Sequence, residues 1–409
     1  MGIVVKFTPV LGSQVDVSEY VDAASVGNLT EALDFNSVNI GVFRNSSISL
    51  KMNNELGTFS QGGKAGSVFT QARDRTLVRI LYKEAVNSAK TGFATAGSLQ
   101  NAYMSPEQTV FLGVIAEKGT KESADQSTVT FQVLSIDSLL DKADAVSSGT
   151  PDLFANIVAN LNTDPYRNYA TATSNTVVNG LDLEFNLATG VGFDQFKDAR
   201  AAVNELLSIS NSFLKLRFFE DTNTATTILT SRRPDTTTIV KRFYGPNSTL
   251  GVENIIAVNN ENPGFNRVFN SFSFGDGQKS IQDSVSVSRY GLNSKTLSST
   301  FLTDGDTQIS VLNNYMQEFS SPRQELDLIV PLSYDNLSLE LLDVVTIDYP
   351  GRFEESDLEV TRYGFGVYGT SKYARALESR SYSQNQLFKV YEKKINFKND
   401  QITLKLREA

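Results

Sequence analysis

Alternation of apolar and polar side chains, recurring along much of the chain, constrains the fold more than any other feature of this sequence. It is plainest between Gln386 and Ala409, where two runs, Phe388 to Phe397 and Gln401 to Arg407, flank Lys398-Asn399-Asp400. Side chains of a strand point to opposite faces with a period of two, so Ile402, Leu404 and Leu406 share one face and Thr403, Lys405 and Arg407 the other. Asn and Asp tolerate the left-handed backbone that a tight hairpin requires. The expectation is a closing hairpin built into a sheet, with Leu404 and Leu406 buried.

The same signal opens the chain. Ile3-Val-Val-Lys-Phe7 and Asp16-Val-Ser-Glu-Tyr-Val21 read as strands. Ser46 to Met52 alternates cleanly, with Ile48, Leu50 and Met52 inward, and runs into the turn Asn53-Asn-Glu-Leu-Gly57. Thr76 to Tyr82, Thr109 to Ile115 and Ser127 to Leu134 follow. Short strands with polar connections predict a β-barrel or sandwich domain over residues 1–145.

The period then changes. Thr150-Pro151-Asp152 has the form of a helix start, and Leu153, Ile157, Val158 and Leu161 recur at helical spacing. A second helix is expected from Asp194 to Ser210, with Phe196, Ala199, Val203, Leu206 and Leu207 on one stripe. With strands at Ser212 to Phe218 and Thr226 to Thr230, residues 146–235 form a small α/β insert. A second β domain is expected over 236–355. Its strands are Arg267 to Phe274, one ending at Val285 to Gly291, Leu326 to Pro331 and Leu339 to Ile347; its helix runs from Asp306 to Phe319 and is stopped by Pro322. Residues 356–409 form a terminal loop and hairpin region. No short-period repeat is present, but the two β blocks are candidate structural relatives.

What is missing limits the chemistry. The 409 residues contain no Cys, no His and no Trp. Disulfides, thiolate nucleophiles, zinc–thiolate sites and every Ser–His or Cys–His arrangement are excluded. Any catalysis would run on carboxylates, Lys, Tyr or oxygen-bound metals, and a non-enzymatic role is expected. Net charge is −9, and the densest basic cluster, Lys389, Lys393, Lys394, Lys398 and Lys405, reads as the solvated face of a hairpin rather than a phosphate grip. An acidic protein suits a passage for DNA, because like charge prevents sticking. No apolar run reaches the roughly eighteen residues of a membrane span. The start lacks a signal peptide and a myristoylation motif, so folding in a cytoplasm is expected.

Candidate sites are few. Gly62-Gly63-Lys64-Ala65-Gly66 lacks the leading glycine and the following Ser or Thr of a phosphate loop, and reads as a surface loop. Gly364-Phe-Gly-Val-Tyr-Gly369 has no strand–helix–strand setting and reads as a loop with aromatic anchors. Asp304-Gly305-Asp306 lacks the further acids of a calcium loop and reads as a helix cap. Glu354, Glu355, Asp357 and Glu359 are the one place where paired carboxylates could act as in a glycosidase, but adjacent acids in a polar loop are ordinarily solvated. Tyr363, Tyr368, Tyr373 and Tyr382 suit a protein interface better than sugar stacking. Asn28, Asn45, Asn247 and Asn336 head glycosylation triplets that arise by chance in an Asn-, Ser- and Thr-rich chain. No catalytic, cofactor-binding or metal-binding residue is assigned, and no cofactor is expected.

Taken in order, several segments resemble the tail hub proteins of bacteriophages, whose fold is shared with the baseplate hub of contractile tails and the secretion-system spike. They are Asp16 to Val21, Ser46 to Met52 with Asn53 to Ser60, Val110 to Ile115 with Val129 to Leu140, and Ser288-Arg-Tyr-Gly291. The helix with Asn313-Asn-Tyr-Met316, then Ser321-Pro-Arg323, Leu339 to Val345 and the closing Lys-Leu-Arg-Glu hairpin complete the series. Leu342 departs from the pattern, since a glycine often precedes the Asp there. The resemblance implies a mainly β fold with a smaller α/β insert, in which two tube-type β-barrel domains are joined by accessory domains. It implies a homotrimer whose six tube-type domains make a pseudo-sixfold ring closing the distal end of the tail tube. Partners would be tail tube or distal tail ring proteins, fibre or tip proteins and the tape-measure protein. DNA would be passing cargo only, no membrane span would exist, and the mature location would be the virion tail after synthesis in the host bacterial cytoplasm. The competing readings are a receptor- or carbohydrate-binding tail adhesin and a carboxylate glycosidase.

Overall fold

The computed structural model describes residues 2–9, 14–21, 26–33, 46–60, 76–83, 108–125, 127–161, 163, 177–178, 192–210, 212–221, 224–232, 237–246, 248–262, 264–275, 279–349 and 386–409. The first block contains β1 (Gly2–Thr8), β2 (Val15–Asp16), β3 (Leu29–Ala32), β4 (Ser47–Asn53), β5 (Leu77–Lys83), β6 (Gln108–Glu122) and β7 (Thr128–Ser135). All but β3 form one antiparallel sheet in the order β2-β1-β5-β6-β7-β4. In β4 the alternation is complete, with Ile48, Leu50 and Met52 buried and the residues between them exposed. The sheet curls: Val21 bridges to Met52, and the Gly27 amide donates to the Ser49 carbonyl at 3.1 Å. The chain leaving one edge at β2 thus returns to the other edge at β4. Asp16 to Val21 is not one strand. The Asp16 carboxylate accepts from the Ser18 amide at 2.9 Å, and the chain turns into a 3-10 segment at Ser18–Tyr20.

The insert contains α1 (Leu153–Leu161), β8 (Val177–Val178), α2 (Ala199–Ile209), β9 (Phe213–Asp221) and β10 (Thr224–Arg232). Its sheet has the order β8-β10-β9. Asp152, two residues beyond the expected cap, accepts from the Ala155 amide at 3.0 Å and starts α1. Asp198 starts α2 by accepting from the Ala201 amide, so the helix begins after the separate 3-10 turn at Phe193–Gln195.

The second block contains β11 (Ile239–Tyr244), β12 (Ala257–Asn262), β13 (Ser271–Phe274), β14 (Ser280–Gln282), α3 (Ser284–Tyr290), β15 (Ser294–Leu297), α4 (Gly305–Phe319), β16 (Glu325–Pro331), α5 (Tyr334–Leu337), β17 (Val344–Asp348), β18 (Leu387–Asn396) and β19 (Gln401–Glu408). Its main sheet runs β11-β17-β18-β19-β16-β12, and β13 to β15 make a small sheet against α4. The stretch Val285 to Tyr290, expected as a strand, is α3. Asp283 accepts from the Val285 and Ser286 amides at 3.0 Å, and Gly291 ends the helix at φ 81°, so caps at both ends override the Val-Ser alternation.

The two large sheets repeat one another. The five strands β1-β5-β6-β7-β4 and β11-β17-β18-β19-β16 occupy the same places, each sheet ordering its strands first, third, fourth, fifth, second along the chain. The correspondence extends to single bonds. The Ile115 amide donates to the Thr76 carbonyl at 3.0 Å where β6 leaves β5, and the Val390 amide donates to the Asp343 carbonyl at 3.0 Å where β18 leaves β17. One difference is that β1 runs antiparallel to β5 while β11 runs parallel to β17. The fold is mainly β, with two curled sheets.

One apolar cluster draws on both sheets, including Phe7, Leu50 and Phe131 from the first and Leu328, Phe388 and Leu404 from the second. The expected burial of Leu404 and Leu406 is found; both are fully enclosed. A second cluster joins α1 and α2 of the insert to α4, the small sheet and the outer faces of β6 and β18 through Leu112, Val114 and Tyr391.

Leu342 holds the turn before β17 at φ 67°, a conformation that costs an ordinary side chain about 1–2 kcal/mol. Its amide donates to the Val390 carbonyl at 2.7 Å, and its side chain lies in the second core. Packing offsets the strain here. Leu342→Ala keeps the strain and loses the packing, at about 2–5 kcal/mol. Leu342→Gly loses the packing but relieves the backbone. In chemical denaturation the glycine variant is therefore expected to be the more stable of the two, the reverse of the usual order; an alanine variant as stable as the glycine one would refute it.

Candidate functional site

The described residues place the most unusual chemistry on β18 and β19, where cations lie beneath other elements. Phe388 and Val390 enter the shared core, while Lys389 pairs across the hairpin with Arg407 on the outer face. This face was expected to be solvated. Instead the last turn of α4 covers it, and Lys389 and Arg407 are 2 % exposed each. Glu318 of α4 supplies the counter-charge. Its Oε1 lies 3.1 Å from Arg407 Nη1 and accepts from the Tyr391 hydroxyl at 3.2 Å, and its Oε2 lies 3.6 Å from Lys389 Nζ. Arg267 Nη1 donates to Glu325 Oε1 at 2.7 Å, and Arg407 Nε stands 3.9 Å from the same oxygen. The Arg407 guanidinium also lies 5.5 Å from the centre of the Phe319 ring.

Three cations thus share two carboxylates in a mostly buried seam, with Glu318 and Arg267 at its partly exposed ends. Burial pushes the Lys389 ammonium below its ordinary range, with the Glu318 carboxylate opposing that shift. Burial likewise pushes the Tyr391 phenol well above its usual range.

A register shift between Val390 and Glu392 turns Lys393 onto the core face, opposite Leu404. Its ammonium is satisfied there by the Leu339 carbonyl at 3.0 Å and by Glu31 at 3.1 Å. Glu31 belongs to β3, which leaves its own block and pairs antiparallel with β18, matching Lys393 to Glu31 and Lys394 to Thr30. The two blocks are therefore stitched together by one strand and one ion pair, in which the Lys393 ammonium is buried and Glu31 is half-buried. Lys394, Lys398 and Lys405 remain exposed, so only part of the expected solvated cluster is solvated. In the insert, Arg200 bridges Asp141 and Asp137, fastening the 3-10 segment Ile136–Lys142 to α2; burial pushes the Asp137 carboxyl up, with Arg200 opposing.

These groups hold elements together. Asp304 is a cap, accepting from the Thr307 amide at 2.9 Å, a bond that holds its carboxyl below the ordinary value. Asn336 is buried, its amide donating to the Pro331 carbonyl at 2.8 Å, and Asn28 directly precedes β3. The Gly62 to Gly66 loop, Glu354 to Glu359, the Gly364 to Gly369 loop, Tyr363, Tyr368, Tyr373, Tyr382, Asn45 and Asn247 lie outside the described residues. Among the described residues there is no group of three or more acidic side chains that could hold a metal, and no helix long and apolar enough to cross a membrane. Sequence reasoning missed Glu318 and Glu31, whose partners lie far away along the chain; an acid in the last turn of α4, where cations are normally preferred, was the one local signal for Glu318.

The described residues define a mainly β protein with two curled sheets of repeated strand order and a smaller α/β insert. No protein-family model matches the chain, and no curated protein matches it in sequence. The solved tail protein from Neisseria meningitidis MC58 is similar in structure, with a TM-score of 0.51 at 9% identity, over 100% of this chain and 97% of that one. The prophage MuSo2 43 kDa tail protein from Shewanella oneidensis gives a TM-score of 0.49 at 11% identity, over 99% and 96% of the two chains. The prophage tail protein gp18 from Listeria monocytogenes EGD-e gives 0.45 at 10% identity, over 100% and 94%. What this chain shares with the Neisseria meningitidis tail protein is the fold.

Removing one partner of a buried ion cluster leaves the others uncompensated. Glu318→Gln is expected to destabilise the chain by about 3–5 kcal/mol. Glu392→Gln, whose Lys405 partner is 4.0 Å away and 47% exposed, should cost under about 1 kcal/mol. Equal losses in urea denaturation would show that the seam is no more than a surface contact.

At the β6–β7 turn, Asp125 accepts from the Ser123 and Ser127 hydroxyls and the Ser127 amide, which hold its carboxyl at about 2. Its depressed value means that this turn's stabilisation is present above the usual carboxylate range and is lost as pH falls through about 2. An NMR titration of Ser123→Ala/Ser127→Ala should move the midpoint up towards the ordinary Asp value; an unmoved midpoint contradicts the assignment.

Proposed function

We propose that this chain is a structural hub of a phage tail tip, with no catalytic role. Three copies would close the distal end of the tail tube, anchor fibre or tip proteins and the tape-measure protein, and open for DNA. The observation that carries this reading is the repeat: two curled sheets of one strand order within one chain, joined by β3. Three such chains supply six similar sheets, which matches a sixfold tube, and symmetry requires the same contacts of each copy. Closing the sheets into a ring also removes open edges, which otherwise invite aggregation. The fold likeness to a solved tail protein and the net charge of −9 support the same reading, since a conduit for DNA works best when its wall does not bind phosphates. The inner wall is accordingly expected to favour Asp, Glu, Ser and Asn over Lys and Arg, and the insert to lie outside the ring.

Light scattering combined with size exclusion tests the reading. A trimer is the expected species. A monomer at every concentration, with binding that depends on a capsular sugar, would favour the adhesin. Turnover of peptidoglycan that is lost in Glu354→Gln or Asp357→Asn would replace the structural role with a glycosidase.

A further inference from the structure

β3 is a strand given by one block to the other. It lies along Glu392–Ile395 of β18, just past the point where β17 ends and the register of the hairpin shifts. The repeat makes the corresponding place in the first block identifiable residue by residue. Val114 pairs with Leu77 as Lys389 pairs with Val344, and Ile115 donates to Thr76 as Val390 donates to Asp343. Beyond each junction the register shifts, between Ile115 and Thr120 in β6 and between Val390 and Glu392 in β18. Thr120 then faces Phe131 as Lys393 faces Leu404, both partners belonging to the shared core. Thr120, Lys121 and Glu122 therefore stand where Lys393, Lys394 and Ile395 stand. Among the described residues no strand lies along Thr120–Glu122 on the side away from β7. A strand edge with one side open is a template for a further strand.

The donor is identifiable by the same logic. β3 lies in the chain between the first and second strands of its repeat, β1 and β4, and follows the segment that closes on β4. In the second block the segment that closes on β16 is β12, which lies between β11 and β16 and forms the end of its sheet, so the place of β3 falls to its last residues, past Asn259. Its register breaks between Asn259 and Asn262, Asn260 takes φ 51°, and Asn259 and Asn260 are exposed.

We propose that Thr120–Glu122 of β6 is an acceptor edge for a second copy of this chain, and that the β12 segment of that copy fills it, as β3 fills the equivalent edge of β18. Each subunit then donates β3 internally and β12 to its neighbour. The contact is head-to-tail, which closes into a ring when the rotation allows. This deepens the hub reading above and rests on it, by naming the strand that joins one subunit to the next.

The chain has no native Cys, so introduced thiols report unambiguously. Lys121→Cys and Asn259→Cys are both at exposed positions. The double variant is treated with a short bismaleimide and run under denaturing conditions, with each single variant as a control and native mass measured in parallel. Covalent dimers and trimers from the double variant, with neither single variant cross-linking, are expected. Trimeric mass without cross-linked species, together with amide exchange at Thr120–Glu122 no slower in the trimer than in diluted monomer, would overturn the assigned edge and leave the ring itself standing. Monomeric mass for the unmodified chain would remove both.

Discussion

The pairing of β3 with β18 is the interaction on which the rest of the structure depends. A curled sheet of six strands is already a folded unit, and two of them on one chain would ordinarily be separate bodies linked by an insert. Here four residues from the first block join the second sheet, from Leu29 against Ile395 to Ala32 against Glu392. The open edge of β18 gains backbone partners, and Lys393 gains Glu31 in a place where an unpaired ammonium would be prohibitively costly. With the two sheets held at that strand, their inner faces merge into one apolar cluster, and the Tyr82 hydroxyl of one block donates to the Leu332 carbonyl of the other at 3.4 Å.

The ionic seam has a different character. Buried ion clusters seldom stabilise a fold beyond what well-packed apolar residues would achieve, because desolvation cancels much of the Coulombic attraction. What they do contribute is orientation. Glu318 reaches Lys389, Arg407 and Tyr391 only when α4 sits in one position over the hairpin, and Glu325 adds Arg267 from the segment preceding the small sheet. The accessory elements are thereby fixed against the β framework.

The sequence made some of this legible and concealed the rest for physical reasons. The terminal hairpin was readable because a period of two and a left-handed turn residue are local properties; Asp400 does sit at φ 56°. The helix over Asp306–Phe319 was readable from its period and from Asp304 as its cap. What lies over a strand's outer face is not local, so Lys389 looked like a solvated cation although α4 buries it. β3 gave no signal, because four residues carry too little pattern and the strand exists only through the edge it joins. In α3 two local signals conflicted, alternation against caps at Asp283 and Gly291, and the caps prevailed. Leu342 shows the converse, a residue unsuited to its backbone angle that is held there by burial.

The proposed hub requires the two repeated sheets of each chain to be consecutive segments of a ring. Electron cryomicroscopy of the purified assembly, averaged to a resolution that separates strands, tests it most directly. The account expects three copies around an axis, six curled sheets lining one channel, and the insert helices on the outer surface. A particle in which only one sheet per chain faces the axis, or a channel wall dominated by Lys and Arg, would contradict it.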